Sequence, residues 1–100
     1  MKPTKKSTME TSFHNVVVSA TVRELRQVLG EPACEQNDGE DKVNFEWEME
    51  TKNGKVFTVY DWKEYRQIEE DEEIEWHIGG HCFMDTYTAS EEITNALKQL

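Results

Sequence analysis

Hydrophobic and polar residues alternate without a break over residues 43–50, and this is the clearest pattern in the chain. Period-two alternation is typical of a β-strand with one buried face. Asn53-Gly54 follows and is the preferred pair for a two-residue type I′ turn, so residues 55–62 are predicted as the return strand of a hairpin. Such a turn sets the register and places Trp47 opposite Tyr60 on the same face of the sheet.

This register divides the predicted hairpin into a core face and an open face. The core face consists of Phe45, Trp47, Met49, Val56, Tyr60 and Trp62. The open face consists of Glu46, Glu48, Glu50, Phe57, Val59 and Asp61. A third strand predicted over residues 73–78 puts Trp76 in the core and adds Glu75 and His77 to the open face. We predict that the open face binds a partner, because a purely solvated face does not need Phe57 and Val59. Burial of these two beneath the tail or a loop is one alternative, and a face that carries only solubilising charge is another.

Three further segments complete the predicted fold. Residues 13–19 are rich in β-branched residues and predict a strand. Thr21 and Glu24 fit a capping box, and the apolar stripe that follows predicts a short helix ended by Gly30. Ser90 is the predicted N-cap of a second helix. The order β-α-β-β-β-α predicts an α+β two-layer sandwich, with both helices on one face of an antiparallel sheet.

The chain divides into a tail and one domain. Residues 1–12 are polar and basic without periodicity, and they predict a disordered tail. Residues 13–100 are predicted to form a single domain, because 100 residues is the length of one small domain. The edge of the first or last strand is expected to be exposed, and such an edge can pair two copies in a homodimer.

The chain is strongly acidic, with 21 Asp and Glu against 11 Lys and Arg and a formal net charge of −10. This charge argues against direct nucleic acid binding, because the phosphate backbone attracts cations. It favours a basic protein partner, since opposite charge speeds encounter. No apolar run approaches the roughly 20 residues that span a bilayer, so we expect no membrane association. Without an export signal we expect a cytoplasmic location (the host cytoplasm for a viral protein), with Cys34 and Cys82 reduced.

Residues 77–82 (HIGGHC) are the most unusual short stretch. The glycine pair can open a loop whose backbone N–H groups bind an anion, with imidazoles beside it. This gives an alternative site for a nucleotide or another phosphorylated ligand, formed by Lys63, Arg66, His77, Gly79, Gly80 and His81. The simpler interpretation is a bulge that ends the strand. The His and Cys spacing is not that of a zinc site, and a domain this small rarely builds a deep cleft, so we expect no cofactor and no enzyme.

Three motifs occur in order along the chain: LGEP at residues 29–32, VYDWK at 59–63 and WHIGGH at 76–81. Through these motifs, residues 20–82 resemble a group of short proteins common in phage and mobile-element genomes. The acidic run Glu69–Glu73 and the basic tail depart from that group. The resemblance implies a viral or mobile-element accessory protein of the anti-defence type, which binds and blocks host machinery such as DNA-binding nucleases. We therefore expect a non-enzymatic acidic inhibitor that docks on a basic host protein.

Overall fold

One antiparallel sheet of six strands carries two helices on one of its faces in the computed structural model, which describes Met1–Leu100. In chain order the elements are β1 Lys2–Pro3, β2 Ser12–Ala20, α1 Val22–Leu29, β3 Cys34–Glu35, β4 Phe45–Glu50, β5 Val56–Tyr60, β6 Ile74–Gly80 and α2 Phe83–Lys98. The strands lie in the order β1-β4-β5-β6-β2, and β3 also pairs with β4. The predicted α+β two-layer sandwich is confirmed, with β1 and β3 as short additions to the predicted order. Neither helix is both long enough and apolar enough to cross a membrane.

The core lies between the helices and the sheet face that carries Trp47 and Trp76. Both indoles are fully buried and meet edge to face, with their ring centroids 5.5 Å apart. The Trp47 indole N–H donates to the Gly30 carbonyl at 2.8 Å, and the Trp76 indole N–H donates to the Ala20 carbonyl at 2.9 Å. These carbonyls lie just after and just before α1, so the two bonds attach that helix to the sheet while satisfying both indoles.

Helix α1 begins with the predicted capping box. The Glu24 amide donates to Thr21 Oγ1 at 3.0 Å, and the Thr21 amide donates to Glu24 Oε1 at 2.9 Å. Two of the backbone donors left free at the helix start are satisfied in this way. Gly30 ends the helix at a φ of 87°, as predicted, although its ψ of −164° lies outside the left-handed helical region.

Helix α2 begins at Phe83, so the predicted cap at Ser90 is wrong. Cys82 is the N-cap and forms no side-chain capping bond, which leaves the true helix start without a capping signal in the sequence. Ser90 lies inside the helix, where its hydroxyl donates to the Tyr87 carbonyl at 2.7 Å. This local back-bonding shows how a residue type typical of caps is accommodated mid-helix.

The hairpin forms, but its register differs by one residue from the predicted one. The loop has three residues, because the Thr51 amide donates to the Lys55 carbonyl at 2.9 Å, and Gly54 adopts a φ of 78°. Three-residue hairpin loops commonly end in such a left-handed residue, which suits glycine. Trp47 therefore lies opposite Val59. Because side chains alternate between the two faces, this slip moves every residue of β5 to the face opposite the predicted one.

Residues 1–12, predicted to be disordered, have defined places along the sheet. Lys2–Pro3 pairs with the outer edge of β4. The following residues cross the hairpin end of the open face on their way to β2, and the Lys6 ammonium donates to the Gly54 carbonyl at 2.9 Å. The sequence pattern did not indicate this placement, because the groups that hold the tail lie far from it along the chain.

Candidate functional site

The open face of the sheet, which the helices leave uncovered, is the candidate functional site. Three of its predicted members lie elsewhere, because Phe57, Val59 and Asp61 are all fully buried. The one-residue slip turns Phe57 and Val59 toward the helices, where they join the core. Their predicted placement on a partner-binding surface is therefore wrong.

Asp61 has a structural place in this fold. Its carboxylate accepts hydrogen bonds from the Asn44 amide at 2.8 Å, the Phe45 amide at 2.9 Å and the Asn44 side-chain amide at 3.0 Å. A buried carboxylate is tolerated when several donors satisfy it, as they do here. Asp61 thereby holds the start of β4 against the end of β5.

The open face does carry the predicted row of three carboxylates. This acidic row consists of Glu46, Glu48 and Glu50. Its last member, Glu50, is nearly buried and is neutralised by the chain itself, with the Lys6 ammonium at 2.9 Å and the Lys2 ammonium at 3.9 Å. Because Glu50 is already paired within the chain, it is not available to a partner. Its predicted place in the contact surface is therefore wrong.

Glu46 and Glu48 have no cationic partner within the chain. The Thr8 hydroxyl donates a hydrogen bond to Glu48 Oε2 at 3.4 Å. This bond is long, and because its donor is uncharged it does not neutralise the carboxylate. Burial raises the pKa of Glu46, and the hydrogen bond and charge of Glu48 raise that pKa further. The negative charge of Glu48 disfavours ionisation of the Glu46 carboxyl, and a cation placed beside the two groups relieves that repulsion.

Four rings next to the acidic row form an aromatic cluster. The aromatic cluster consists of Phe13, Tyr60, Trp62 and His77. Phe13 stacks on His77 with centroids 4.0 Å apart, and Tyr60 meets His77 edge-on at 5.6 Å. Trp62 is 42% exposed and Phe13 is 37% exposed, so the cluster presents ring surface to solvent. The expectation that Tyr60 and Trp62 lie in the core is wrong, for the same reason of register.

Sequence reasoning missed Phe13, Tyr60 and Trp62 as members of this site. Phe13 reaches the cluster through an irregularity in β2 between Phe13 and Val17, where Asn15 adopts a φ of 65°. Asparagine enters the left-handed region more readily than most residues. The asparagine within an otherwise β-branched run was therefore the one available signal for this bulge.

A pocket of about 300 Å³ opens between the acidic row and the aromatic cluster. Its lining consists of Thr8, Thr11, Ser12, Val43, Glu46, Thr58, Tyr60, Trp62 and Gly79. Glu46 is the only charged residue in this lining. The volume is at the lower end of the range for ligand pockets, so it suits one long side chain rather than a large ligand. A carboxylate beside two rings and several hydroxyls offers an incoming cation both hydrogen-bond acceptors and ring faces.

Trp62 already attracts cations within the chain. The ammonium groups of Lys42 and Lys63 lie 5.9 Å and 5.6 Å from the centre of the Trp62 ring. Both distances fall within the range of cation–π attraction. On the neighbouring strand, burial lowers the pKa of His77, against an opposing effect of Glu75, so the imidazole is neutral near pH 7 and does not compete as a cation.

The acidic run Glu69–Glu73, which we expected to add to the negative surface, is mostly paired within the chain. The ion pairs in this region are Arg23–Asp71, Arg26–Glu70 and Arg66–Glu72. Hydrogen bonds from the arginines lower the pKa of Asp71 and of Glu72. The chain has only these three arginines, and all of them are engaged here. Uncompensated negative charge is therefore more characteristic of the open face than of this loop.

The glycine pair predicted to open a loop lies within strand β6. A Cβ atom on Gly79 would lie 2.6 Å from Thr58 Oγ1, and one on Gly80 would lie 2.8 Å from Thr86 Cγ2. The two glycines permit close packing, first against the neighbouring strand and then against α2. The predicted anion-binding loop is therefore wrong. The alternative of a strand-ending bulge is also wrong, because both glycines pair regularly with β5.

The other residues of the alternative ligand site do not converge. Lys63 lies over Trp62, Arg66 is bound to Glu72, and His81 is exposed beyond the end of β6. Of the predicted set, Gly79 lines the pocket and His77 belongs to the aromatic cluster. The pocket holds a carboxylate where a phosphate group would need donors, so its chemistry favours a cation.

No group of three or more His, Cys, Asp or Glu side chains is arranged to hold a metal ion. Cys34 and Cys82 are both free and exposed. Comparisons with models of protein families, with curated proteins and with solved structures found no match.

Proposed function

We propose that this chain is a non-enzymatic binding protein that docks a basic segment of a partner protein onto its open sheet face. In this proposal the acidic row and the aromatic cluster together form the contact surface, and one lysine or arginine of the partner enters the pocket beside Glu46. The observation that carries the proposal is the difference within the acidic row, in which Glu50 is neutralised and Glu46 and Glu48 are not.

The tail of the chain supports the choice of a basic partner. Lys6 reaches Glu50 at 2.9 Å, and its backbone segment lies against the same end of the sheet. A lysine-bearing segment is thus compatible with this surface in both shape and charge. Glu46 and Glu48 continue the row away from Lys6, so a second basic segment could extend the same pattern of pairing.

The aromatic cluster supports a protein contact rather than a purely electrostatic one. Exposed Tyr and Trp rings are enriched where protein interfaces carry most of their binding energy. Here Trp62 and Tyr60 line the pocket beside Glu46. A guanidinium or ammonium group entering the pocket would contact ring faces and a carboxylate at once, which strengthens both interactions by excluding water.

The partner class follows from the charge. A chain of −10 repels nucleic acid but is attracted to proteins whose surfaces bind nucleic acid, since those surfaces are basic. Together with the resemblance to phage and mobile-element proteins, this favours an anti-defence accessory protein that blocks a basic host protein in the host cytoplasm.

The proposal is tested by fluorescence anisotropy with a labelled lysine-rich peptide. We expect the peptide to bind wild type, and Glu46→Gln/Glu48→Gln to weaken binding by about tenfold, on the basis of about 0.7 kcal/mol for each ion pair. Raising the NaCl concentration from about 50 to about 500 mM should weaken wild-type binding strongly.

The matched control is Glu40→Gln/Glu91→Gln, which removes the same charge from two exposed residues outside the open face. If this control weakens binding as much as the open-face variant does, net charge alone explains the affinity and the proposed site is wrong. Trp62→Ala separates the aromatic contribution, because it leaves the charge unchanged and should also weaken binding.

A further inference from the structure

The two lateral edges of the sheet are built differently. On one side, the outer edge of β4 is covered by β1 and β3, which have two residues each and carry Pro3, Lys2 and Glu35. Short strands, proline and charge are the usual means of preventing further strand pairing. On the other side the sheet ends at β2, which has nine residues and no second neighbour.

Strand β2 has a bulge between Phe13 and Val17, but its remaining part, Val17–Ala20, is regular and lacks the charges that normally protect an edge. Residues 11–22 contain no Asp, Glu, Lys or Arg, and no other segment of the chain without these residues is as long. The next longest such segment, residues 76–84, includes most of β6, the neighbour of β2, and the start of α2. In a chain of which 32% is charged, the two longest uncharged segments therefore lie side by side.

Exposed apolar side chains accompany this uncharged region. Phe13 and Val17 on β2 are 37% and 39% exposed, while Phe83 and Met84 at the start of α2 are 51% and 61% exposed. All four lie within the two uncharged segments. Helix α2 begins at Phe83, shortly after Gly80, and Gly80 pairs with Ser12 at the start of β2, so Phe83 and Met84 follow the end of β6 that lies beside Phe13.

We infer that β2 pairs with β2 of a second copy of this chain, forming an antiparallel homodimer with one continuous sheet. Two copies with a charge of −10 repel each other at most approaches, and the uncharged edge is where they meet with the least repulsion. An antiparallel pair of identical strands satisfies two-fold symmetry, so the same edge serves both partners. The straight part of β2, where Val17–Ala20 pairs residue by residue with Ile74–His77, is the centre of the interface.

The dimer has a consequence for the open faces. The two-fold axis of such a pair runs perpendicular to the sheet, so both open faces lie on the same side of the assembly. A partner with two basic segments then meets two sites at once, which raises the apparent affinity without new contacts at either site. The self-association itself does not depend on the proposed function.

Sedimentation velocity across about 1 to 500 μM protein tests the inference, because pairing between two short strand segments forms a small interface and small interfaces are typically weak. We expect the wild-type mass to rise from 11.7 kDa toward twice that value. Ser19→Lys should remain monomeric throughout, because a lysine on an edge strand opposes pairing. Ser19 is exposed and lies opposite Glu75, so the new lysine gains a cross-strand ion pair within the monomer and the fold is retained.

Ser19→Thr is the matched control and should dimerise like wild type. A wild-type chain that stays monomeric at every concentration overturns the inference, and so does a Ser19→Lys variant that dimerises like wild type. Hydrogen exchange of the wild-type protein decides the question without any variant. Amides of β2 that do not bond to β6 should become protected as concentration rises, and protection that is independent of concentration contradicts the edge pairing.

Discussion

The buried carboxylate of Asp61 gives the most quantitative prediction. Asp61 is fully buried, and it accepts bonds from the backbone amides of Asn44 and Phe45 at 2.8 Å and 2.9 Å. Asp61→Ala removes the acceptor from two donors that are themselves buried. The side-chain amide of Asn44 loses one bond as well, but it keeps its bond to the Arg66 carbonyl at 3.0 Å.

The expected loss is large compared with the stability of a small domain. Each buried donor left without an acceptor costs about 1–3 kcal/mol. For two backbone donors, with some relief from water entering the space left by the carboxylate, we expect the free energy of unfolding to fall by about 3 kcal/mol. This corresponds to a decrease in Tm of about 12–24 °C for a domain of this size.

Urea unfolding followed by circular dichroism measures the effect. Asp61→Asn retains one acceptor oxygen and should lose about half as much stability as Asp61→Ala. Asp41→Ala removes an exposed carboxylate of the same type and should change stability by less than about 0.5 kcal/mol. If the free energy of unfolding of Asp61→Ala lies within about 1 kcal/mol of the wild-type value, the carboxylate does not satisfy these donors.

Three other predictions follow from packing and from pKa values. Gly80→Ala should lower the free energy of unfolding by about 1–3 kcal/mol in urea, because the new Cβ would lie 2.8 Å from Thr86 Cγ2. Adding Thr86→Ser to that variant removes the methyl group and should recover part of the lost stability. Because the folded-state pKa of Glu46 is raised, its contribution to stability is present at low pH and lost as pH rises, so Glu46→Gln should raise Tm at pH 7 and have little effect near pH 3. A hydrogen bond from Arg26 lowers the folded-state pKa of Glu35, so its contribution is present at neutral pH and lost as pH falls through the lowered value. Glu35→Gln should accordingly lower Tm at pH 7, and the effect should shrink as pH falls below 4.5, whereas the reverse pH dependence would contradict the Arg26 pairing.

The behaviour expected of Glu46→Gln also separates a functional carboxylate from a structural one. If the variant becomes more stable but loses affinity for a lysine-rich peptide, then the charge of Glu46 serves binding and lowers the stability of the fold. Binding sites often carry such a cost, because the groups that recognise a ligand are not fully satisfied without it. Loss of both stability and affinity would instead make Glu46 a structural residue.

Much of the fold could be predicted from local patterns. The alternation over residues 43–50 predicted β4, and Thr21 with Glu24 predicted the start of α1, because each signal depends on neighbours in sequence. The start of α2 could not be predicted in this way. Cys82 forms no capping bond, whereas Ser90 imitates a cap within the helix.

Which residues of β5 belong to the site is decided by the register of the hairpin, and a shift of one residue exchanges its two faces. Both faces of β5 are apolar, with Val56 and Tyr60 on one and Phe57 and Val59 on the other, so its composition did not favour either orientation. Only the geometry of the loop decides, and Asn53-Gly54 is compatible with a two-residue or a three-residue loop. The acidic row was predicted correctly because its alternation is strict, whereas the rings beside it were not.

A map of where a basic segment binds decides whether the open face is the binding surface. An ¹⁵N-labelled sample titrated with the lysine-rich peptide reports each backbone amide and each indole N–H separately. We expect the largest shifts at Glu46, Glu48 and Tyr60 and at the Trp62 indole, and no shift at the buried Trp47 indole. Shifts that centre on Glu69–Glu73 or on the helices, or a titration without localised shifts, would contradict the claim that the open face is the binding surface.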